Sequence, residues 1–411
     1  MLLWKKENIA ASLGNILEWY DFCLYGYFAP LLAQAFFPNQ NPSISLLYLL
    51  LTFASGYVAR PIGGLIFGHF GDILGPGKAL YYAIYLISFP TFLIGLLPGY
   101  AILGAYAPLM LIFIRLLQGL SAGGQYSGAL TYLCKNNPPQ HRSSAASTAY
   151  LGSLGGFLLA SGIGAMTTTF YDNQLAWRIP FLASILLVIP LEFYKHQLSV
   201  APKNPVKSQH LPIITLLKSY KVVTAKSFLL ASIGGVYYTS FFVFLISYLN
   251  NYVNLKMSAI FWLNTICLIS SALTIGYFAK LADHYGRKPI LLVSSFCLAL
   301  LIYPAFLLLN TKYFVYCLFG AWLVTTANTA FMAACAVVYV EIFPEEIQYT
   351  GCAVSYNLGA GLVGGFTPAL LVFILNRFGF FTMNVLLTLS AAFAVLFTYA
   401  CIPETLPKQR K

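Results

Sequence analysis

The sequence predicts an all-α membrane protein of twelve transmembrane helices, arranged as two pseudo-symmetric six-helix halves. Three observations carry that expectation. Hydrophobic residues fill 59% of the 411 positions and charged residues 8%, whereas an ordinary soluble domain carries about 25% charged residues. Apolar runs of the length that crosses a bilayer, roughly 20 residues each, occur twelve times along the chain. Two independent sequence markers also recur at nearly one offset, 211 and 209 residues.

In chain order the runs are 9–37, 44–70, 79–97, 107–133, 144–168 and 177–194, then 228–249, 259–281, 289–309, 313–342, 350–375 and 380–402. The first carries Glu18 and Asp21 in its middle, and no small-residue cleavage site follows it. It is therefore expected to remain as a helix and not to be removed as a signal peptide. After the second and eighth runs come Gly-and-Asp segments, 68–78 and 276–288, expected to be loops, in which Asp72 and Asp283 lie 211 residues apart. In the fifth and eleventh runs Gly152, Gly155 and Gly156 match Gly361, Gly364 and Gly365, 209 residues on. Glycines so spaced let membrane helices approach closely.

Between the sixth and seventh runs the stretch 196–226 is the longest polar segment, with Pro202, Pro205, Pro212 and several lysines. It divides the chain into an expected N-terminal half (1–195), a linker (196–226) and a C-terminal half (227–411). The later part of the linker reads equally as a helix lying on the membrane surface or as a solvated connection.

The net charge of +12 is an orientation signal and does not call for a nucleic-acid partner. Assigning every Lys and Arg to a side puts 17 of the 23 with the termini and the linker, and four, Arg178, Lys256, Lys312 and Arg377, on the other side. By the positive-inside rule both termini are expected in the cytoplasm. The eight cysteines show no CxxC pair and no neighbouring His, so no metal or cofactor is expected. An enzyme is not expected either, since no metal cluster, Ser/His arrangement or phosphate loop falls within the runs.

What remains is a short list of ionisable residues inside apolar runs, where each needs a partner, a cavity or a function. The carboxylates are Glu18 and Asp21; the cations are Arg60 and Arg115. All five histidines are expected in loops, so a proton carrier would be Glu18 or Asp21. Tyr25 follows Asp21 by four positions and shares its helical face. Arg60 and Arg115 are candidates to grip a substrate carboxylate, because the planar guanidinium offers two parallel donors. The alternative is a permanent carboxylate–arginine pairing that only holds helices together. Trp19 and Tyr25 are aromatic candidates for holding a cationic group. Two related halves enclosing such residues point to a carrier with its substrate near the bilayer midplane, working by alternating access.

Longer motifs sharpen this. GNILEWYDFCLYGYFAP (14–30), ARPIGG (59–64), GHFGD (68–72), RLLQGLSAGGQYSGA (115–129), WRIPF (177–181), ADHYGRKP (282–289), YTGCAVSYNLGAG (349–361) and PET (403–405) run from the first helix to the tail. With these motifs the chain resembles the metabolite:proton symporter family of the major facilitator superfamily, which includes carriers of proline/betaine, citrate, oxoglutarate and shikimate. The resemblance implies proton-coupled uptake of a small zwitterionic or carboxylate metabolite across a bacterial inner membrane by a monomer. The alternatives are a facilitative uniporter or a metabolite receptor that does not transport.

It also implies gating roles for Asp72 and Asp283, each facing a helix N-terminus, together with Arg287 and Arg142. Four departures from the family pattern stand out: Ile73 with the GPGK run (75–78), Gln125 where relatives carry Glu, Glu346 and Gln348 where they carry arginines, and SLGGFLLASG (153–162) in place of an antiporter motif. Gln125 is accordingly kept as a candidate contact for substrate.

Overall fold

The structure, a computed structural model, describes residues 5–170, 177–193, 198 and 212–407. Among these residues the regular elements are all helical. In lipid each backbone N–H and C=O must be satisfied within its own segment, which a helix does and a lone strand does not. Nine helical stretches among the described residues are long and apolar enough to cross a membrane: 44–74, 76–96, 106–136, 139–163, 221–251, 259–285, 287–309, 314–341 and 345–401.

The helices are α1 (Lys6–Tyr27), α2 (Ala29–Phe36), α3 (Pro42–Leu74), α4 (Pro76–Leu96), α5 (Tyr100–Leu103), α6 (Tyr106–Asn136), α7 (Arg142–Phe170), α8 (Arg178–Ala183), α9 (Val188–Phe193), α10 (Pro212–Ser219), α11 (Lys221–Thr239), α12 (Leu245–Asn251), α13 (Met257–Tyr285), α14 (Arg287–Leu309), α15 (Phe314–Glu341), α16 (Gln348–Tyr356) and α17 (Gly364–Cys401). Several boundaries differ from the sequence reading, each for a local reason. The first run is two helices that break at Phe28, two residues before Pro30, whose ring clashes with the preceding turn. The seventh run starts earlier, at Lys221, because Tyr220 at the end of the short α10 leaves the helical region and a new helix starts at once. The last two runs are two helices that meet in a kink at Gly379, whose φ of 84° is open to glycine. The linker residues 196–197 and 199–211, with Pro202, Pro205 and two of its lysines, lie outside the described residues.

The Gly-and-Asp segments are not loops. Asp72 and His69 sit near the end of α3, and Asp283 and His284 in the last turn of α13. The helices stop only at Gly75 (φ 98°) and Gly286 (φ 106°), positions beyond the reach of an ordinary L-residue, as at many helix ends.

By compactness the chain forms two units. The first holds Met1–Asn136, Thr148–Leu217 and Glu345–Val354; the second holds Asn137–Ser147, Lys218–Pro344 and Ser355–Lys411.

In the first unit α6 packs along α3 and α4, and α1 lies against α4 and α6. Gly152 and Gly156 of α7 bring that helix onto the backbone of α1 at Ser12 and Ile16. Asp72 accepts hydrogen bonds from the backbone N–H groups of Tyr349 and Thr350, both at 2.9 Å. These are orphan donors at the start of α16, where negative charge is favoured. The Tyr349 ring is fully buried against Gly71 and Gly128, and its hydroxyl donates to the Gly124 carbonyl at 2.7 Å.

The second unit repeats the capping with Asp283, which accepts from the N–H groups of Ser143 (2.8 Å) and Ser144 (2.9 Å) and from the Ser144 hydroxyl (2.6 Å) at the start of α7. Here ionic contacts are added. Arg287 lies 3.5 Å from Asp283 and 3.4 Å from Glu341, and Arg142 lies 3.2 Å from Glu341. Glu404 caps α14 by accepting from Arg287 N–H and Lys288 N–H at 3.0 Å. The position four after Asp72 is Pro76, so the first unit has no counterpart of Arg287. Its aromatic insert, Tyr349, stands where the second unit uses charge.

The Tyr349 contact predicts a graded loss of stability. Tyr349→Phe, which removes one hydrogen bond, is expected to cost about 1 kcal/mol, and Tyr349→Ala, which empties the glycine cradle, about 3–5 kcal/mol. Thermal unfolding of the detergent-purified protein measures both, and equal midpoints for the two variants would rule out ring packing as the source.

Candidate functional site

Three helices of the first unit bring polar side chains to one pocket. Residues three apart share a helical face, and three such pairs meet: Glu18 and Asp21 of α1, Tyr57 and Arg60 of α3, Arg115 and Gln118 of α6. The meeting of α3 with α6 requires glycine. A Cβ at Gly119 would strike the Gly56 carbonyl, and one at Gly123 the Arg60 carbonyl. This contact brings the backbones carrying Arg60 and Arg115 close enough for both guanidinium groups to enter one pocket.

The pocket is lined by Glu18, Asp21, Arg60, Arg115 and Gln118, with Phe22, Phe53 and Tyr57 as its aromatic wall. The three rings meet edge to face, Phe22 and Phe53 at 5.0 Å and Phe53 and Tyr57 at 5.5 Å between centroids. Its free volume is about 30 Å³, the space of roughly one water molecule.

Two ion pairs cross it. Arg60 Nη2 lies 2.9 Å from Glu18 Oε1, with side-chain exposures of 14% and 4%. Arg115 Nη1 lies 2.9 Å from Asp21 Oδ2, with exposures of 4% and 5%. The surroundings of the two carboxylates are unequal. Asp21 Oδ1 also accepts from Gln118 Nε2 at 2.7 Å, and Thr91 Oγ1 stands 3.1 Å away. The same Gln118 nitrogen donates to Thr91 Oγ1 at 2.8 Å. Glu18 Oε2 is buried with no hydrogen-bond partner. Arg115 uses one edge only: its Nε and Nη2 are buried without acceptors, and its guanidinium carbon lies 3.7 Å from the Tyr25 ring centroid. Arg60 lies over Tyr57 at 4.8 Å.

Glu18, Asp21, Arg60 and Arg115 therefore come together, and Tyr25 supports Arg115 from beneath while its hydroxyl donates to the Leu49 carbonyl at 3.2 Å. Trp19 and Gln125 do not join them. Trp19 points to α7, stacked on Phe157 at 5.0 Å, because it is one position from Glu18 and so about 100° around the helix. Gln125 donates to the Ala83 carbonyl (3.2 Å) and to Ser121 Oγ (3.0 Å), two turns along α6 from Gln118. Asp72 lies at the end of α3, and Asp283, Arg287 and Arg142 belong to the second unit.

Gln118 and Thr91 were missed by the sequence reading. For Gln118 a signal existed, an amide three positions after Arg115 in an apolar run. For Thr91 there was none, since threonines in membrane helices commonly bond their own backbone, as Thr91 does with the Ile87 carbonyl at 2.8 Å.

The pairing itself is testable. Asp21→Ala strands a buried guanidinium and is expected to cost about 3–5 kcal/mol, whereas removing both charges with Asp21→Asn and Arg115→Gln is expected to restore most of the loss. Thermal unfolding of single and double variants decides it, and a double variant no more stable than Asp21→Ala would show that charge is not the cause.

Comparison with known proteins gives a consistent picture. A family model described as "Sugar (and other) transporter" matches residues 8–196. The proline/betaine transporters of Salmonella typhimurium and Escherichia coli K12 are each 32% identical over 391 residues, covering 89% of this chain and 77% of theirs. The glycine betaine/proline/ectoine/pipecolic acid transporter OusA of Dickeya dadantii is 31% identical over 387 residues, 89% of this chain and 76% of that one. Among solved structures, the proton:xylose symporter XylE bound to 6-bromo-6-deoxy-D-glucose superposes with a TM-score of 0.81 over 97% of this chain and 96% of that one, at 16% identity. That likeness is one of fold.

Proposed function

The chain belongs to the metabolite:proton symporter family of the major facilitator superfamily, and on that premise we propose that it takes up a small zwitterionic metabolite of the proline/betaine kind together with protons, by alternating access. The observation that carries this reading is the half-used guanidinium of Arg115. Asp21 occupies Nη1, while the Nε–Nη2 edge is buried and unpartnered. That edge has the two parallel donors that bind a carboxylate in bidentate fashion.

A site holding two carboxylates of its own disfavours a second carboxylate on the ligand, so a zwitterion fits better than a di- or tricarboxylate. Phe22, Phe53 and Tyr57 offer ring faces to its cationic nitrogen. The water-sized space of about 30 Å³ means that these rings must part to admit a solute.

In this reading Glu18 or Asp21 carries the proton. Asp72, Asp283, Arg287 and Arg142 serve as gate contacts between an N-terminal half (1–195) and a C-terminal half (227–411) joined by the linker 196–226. The carrier works as a monomer in the bacterial inner membrane with both termini in the cytoplasm, as its lysine and arginine distribution favours.

Proteoliposomes test this directly, with labelled proline, glycine betaine and citrate supplied with and without an inward proton gradient. Accumulation of proline or betaine, collapsed by a protonophore, is the expected outcome. Equilibration without accumulation would make the protein a facilitative uniporter, and binding without uptake a receptor. Arg115→Lys, which keeps the charge but loses the two-donor edge, is expected to raise KM about tenfold or more.

A further inference from the structure

We propose that the two pocket carboxylates have different jobs: Glu18 binds and releases the transported proton, whereas Asp21 stays ionised and holds Arg115 with its Nε–Nη2 edge open to the substrate carboxylate. This rests on the reading of the chain as a proton-coupled carrier and assigns its parts.

The argument is one of hydrogen-bond inventory. Both Asp21 oxygens already face donors, Oδ2 the Arg115 Nη1 and Oδ1 the Gln118 Nε2. A proton added there meets an N–H on either oxygen. Thr91 Oγ1 already accepts from the Gln118 amide, and the unpartnered Gln118 Oε1 reaches Asp21 only if that amide turns and gives up both of the bonds it donates. Protonation would also leave Arg115 without its counter-charge at 4% exposure, and an uncompensated buried charge is strongly destabilising. Glu18 differs on both counts. Its Oε2 is bare, so an O–H bond forms there without displacing a donor. Its partner Arg60 is more exposed, at 14%, and bears the loss of a counter-charge at lower cost.

The charged and titratable groups facing Glu18 are Arg60 and Tyr57 from α3, Arg115 from α6 and Asp21 from α1 itself; α4 contributes only Ile87 to the pocket lining. No histidine or lysine lines the pocket among the described residues. The proton cycle is then one O–H bond made at Glu18 Oε2 on the side of entry and broken on the side of release, with Asp21–Arg115 unchanged throughout. Gln118 is a positioning residue, since its amide ties Asp21 Oδ1 to Thr91 and so sets the direction in which Asp21 holds Arg115.

Two assays on proteoliposomes separate these jobs. Counterflow of labelled proline or betaine against an unlabelled internal pool needs substrate binding and alternation but no net proton movement; accumulation under an inward proton gradient needs coupling. Glu18→Gln is expected to retain measurable counterflow and lose both accumulation and the dependence of uptake on pH. Asp21→Asn is expected to lose counterflow and accumulation together. Gln118→Leu is expected to raise the half-saturation concentration for counterflow several-fold while still accumulating at saturating solute.

The assignment is overturned if Glu18→Gln still accumulates, or if Asp21→Asn keeps counterflow while losing accumulation. Should Asp21→Asn not fold, Gln118→Leu decides the point: lost coupling with an unchanged half-saturation would contradict the role given to Asp21. A wild-type protein that only equilibrates its solute would instead remove proton coupling itself, and the counterflow of Asp21→Asn would still judge the anchoring of Arg115.

Discussion

A charge far from water in a medium of low dielectric must have a partner, and much of the first unit can be understood from that requirement. Glu18 and Asp21 lie on one turn of α1, and nothing on α1 neutralises them. Each finds an arginine on a different helix, Arg60 on α3 and Arg115 on α6. The two pairs therefore set the rotation and height of three helices at once. The glycine contact between α3 and α6 makes this geometry possible, because a side chain at Gly119 or Gly123 would hold the arginine-bearing backbones apart. Chemistry and packing are thus one constraint in this pocket, and Glu18 Oε2 and the Nε–Nη2 edge of Arg115 are among the groups left without partners and free to act on something else.

The helix ends obey a related rule. The first N–H groups of a helix lack partners within it, and three carboxylates meet that need here: Asp72 at α16, Asp283 at α7 and Glu404 at α14. The two internally related aspartates share this role but differ in their surroundings. Asp283 belongs to a network with Arg287, Glu341 and Arg142, whereas Asp72 is flanked by a buried tyrosine set among glycines. The side chains of Arg287 and Glu341 are buried, so salt screens their contact little, and the ionic attraction at one end stands beside aromatic packing at the other. The two related ends are therefore held by forces of different physical kind.

The chain's helical, membrane-spanning character, its internal repetition and its inventory of intramembrane charges were all legible in the sequence. Apolar run length is set by bilayer thickness, and polar residues in such runs are so few that Glu18, Asp21, Arg60 and Arg115 could be picked out by inspection. The motifs from Gly14 to Thr405 went further and indicated the family. Local backbone chemistry is less legible: Gly and Asp in these segments suggest loops, yet helices continue through Asp72 and Asp283 to glycines at positive φ. The glycines end these helices, while the carboxylates of Asp72 and Asp283 cap the starts of others.

Which charge pairs with which, and with what left over, depended on tertiary structure. Glu18 and Asp21 are three positions apart, but their partners lie 42 and 94 residues away, and no spacing rule links residues on different helices. The same holds for Gln118 and Thr91, which complete the coordination of Asp21, and for Trp19 and Gln125, whose side chains leave the pocket. Sequence determines which side chains are costly to bury and so must be answered; the rotation and close approach of packed helices determine how each is answered, because hydrogen bonds act over about 3 Å and only the folded backbone brings distant residues within that reach.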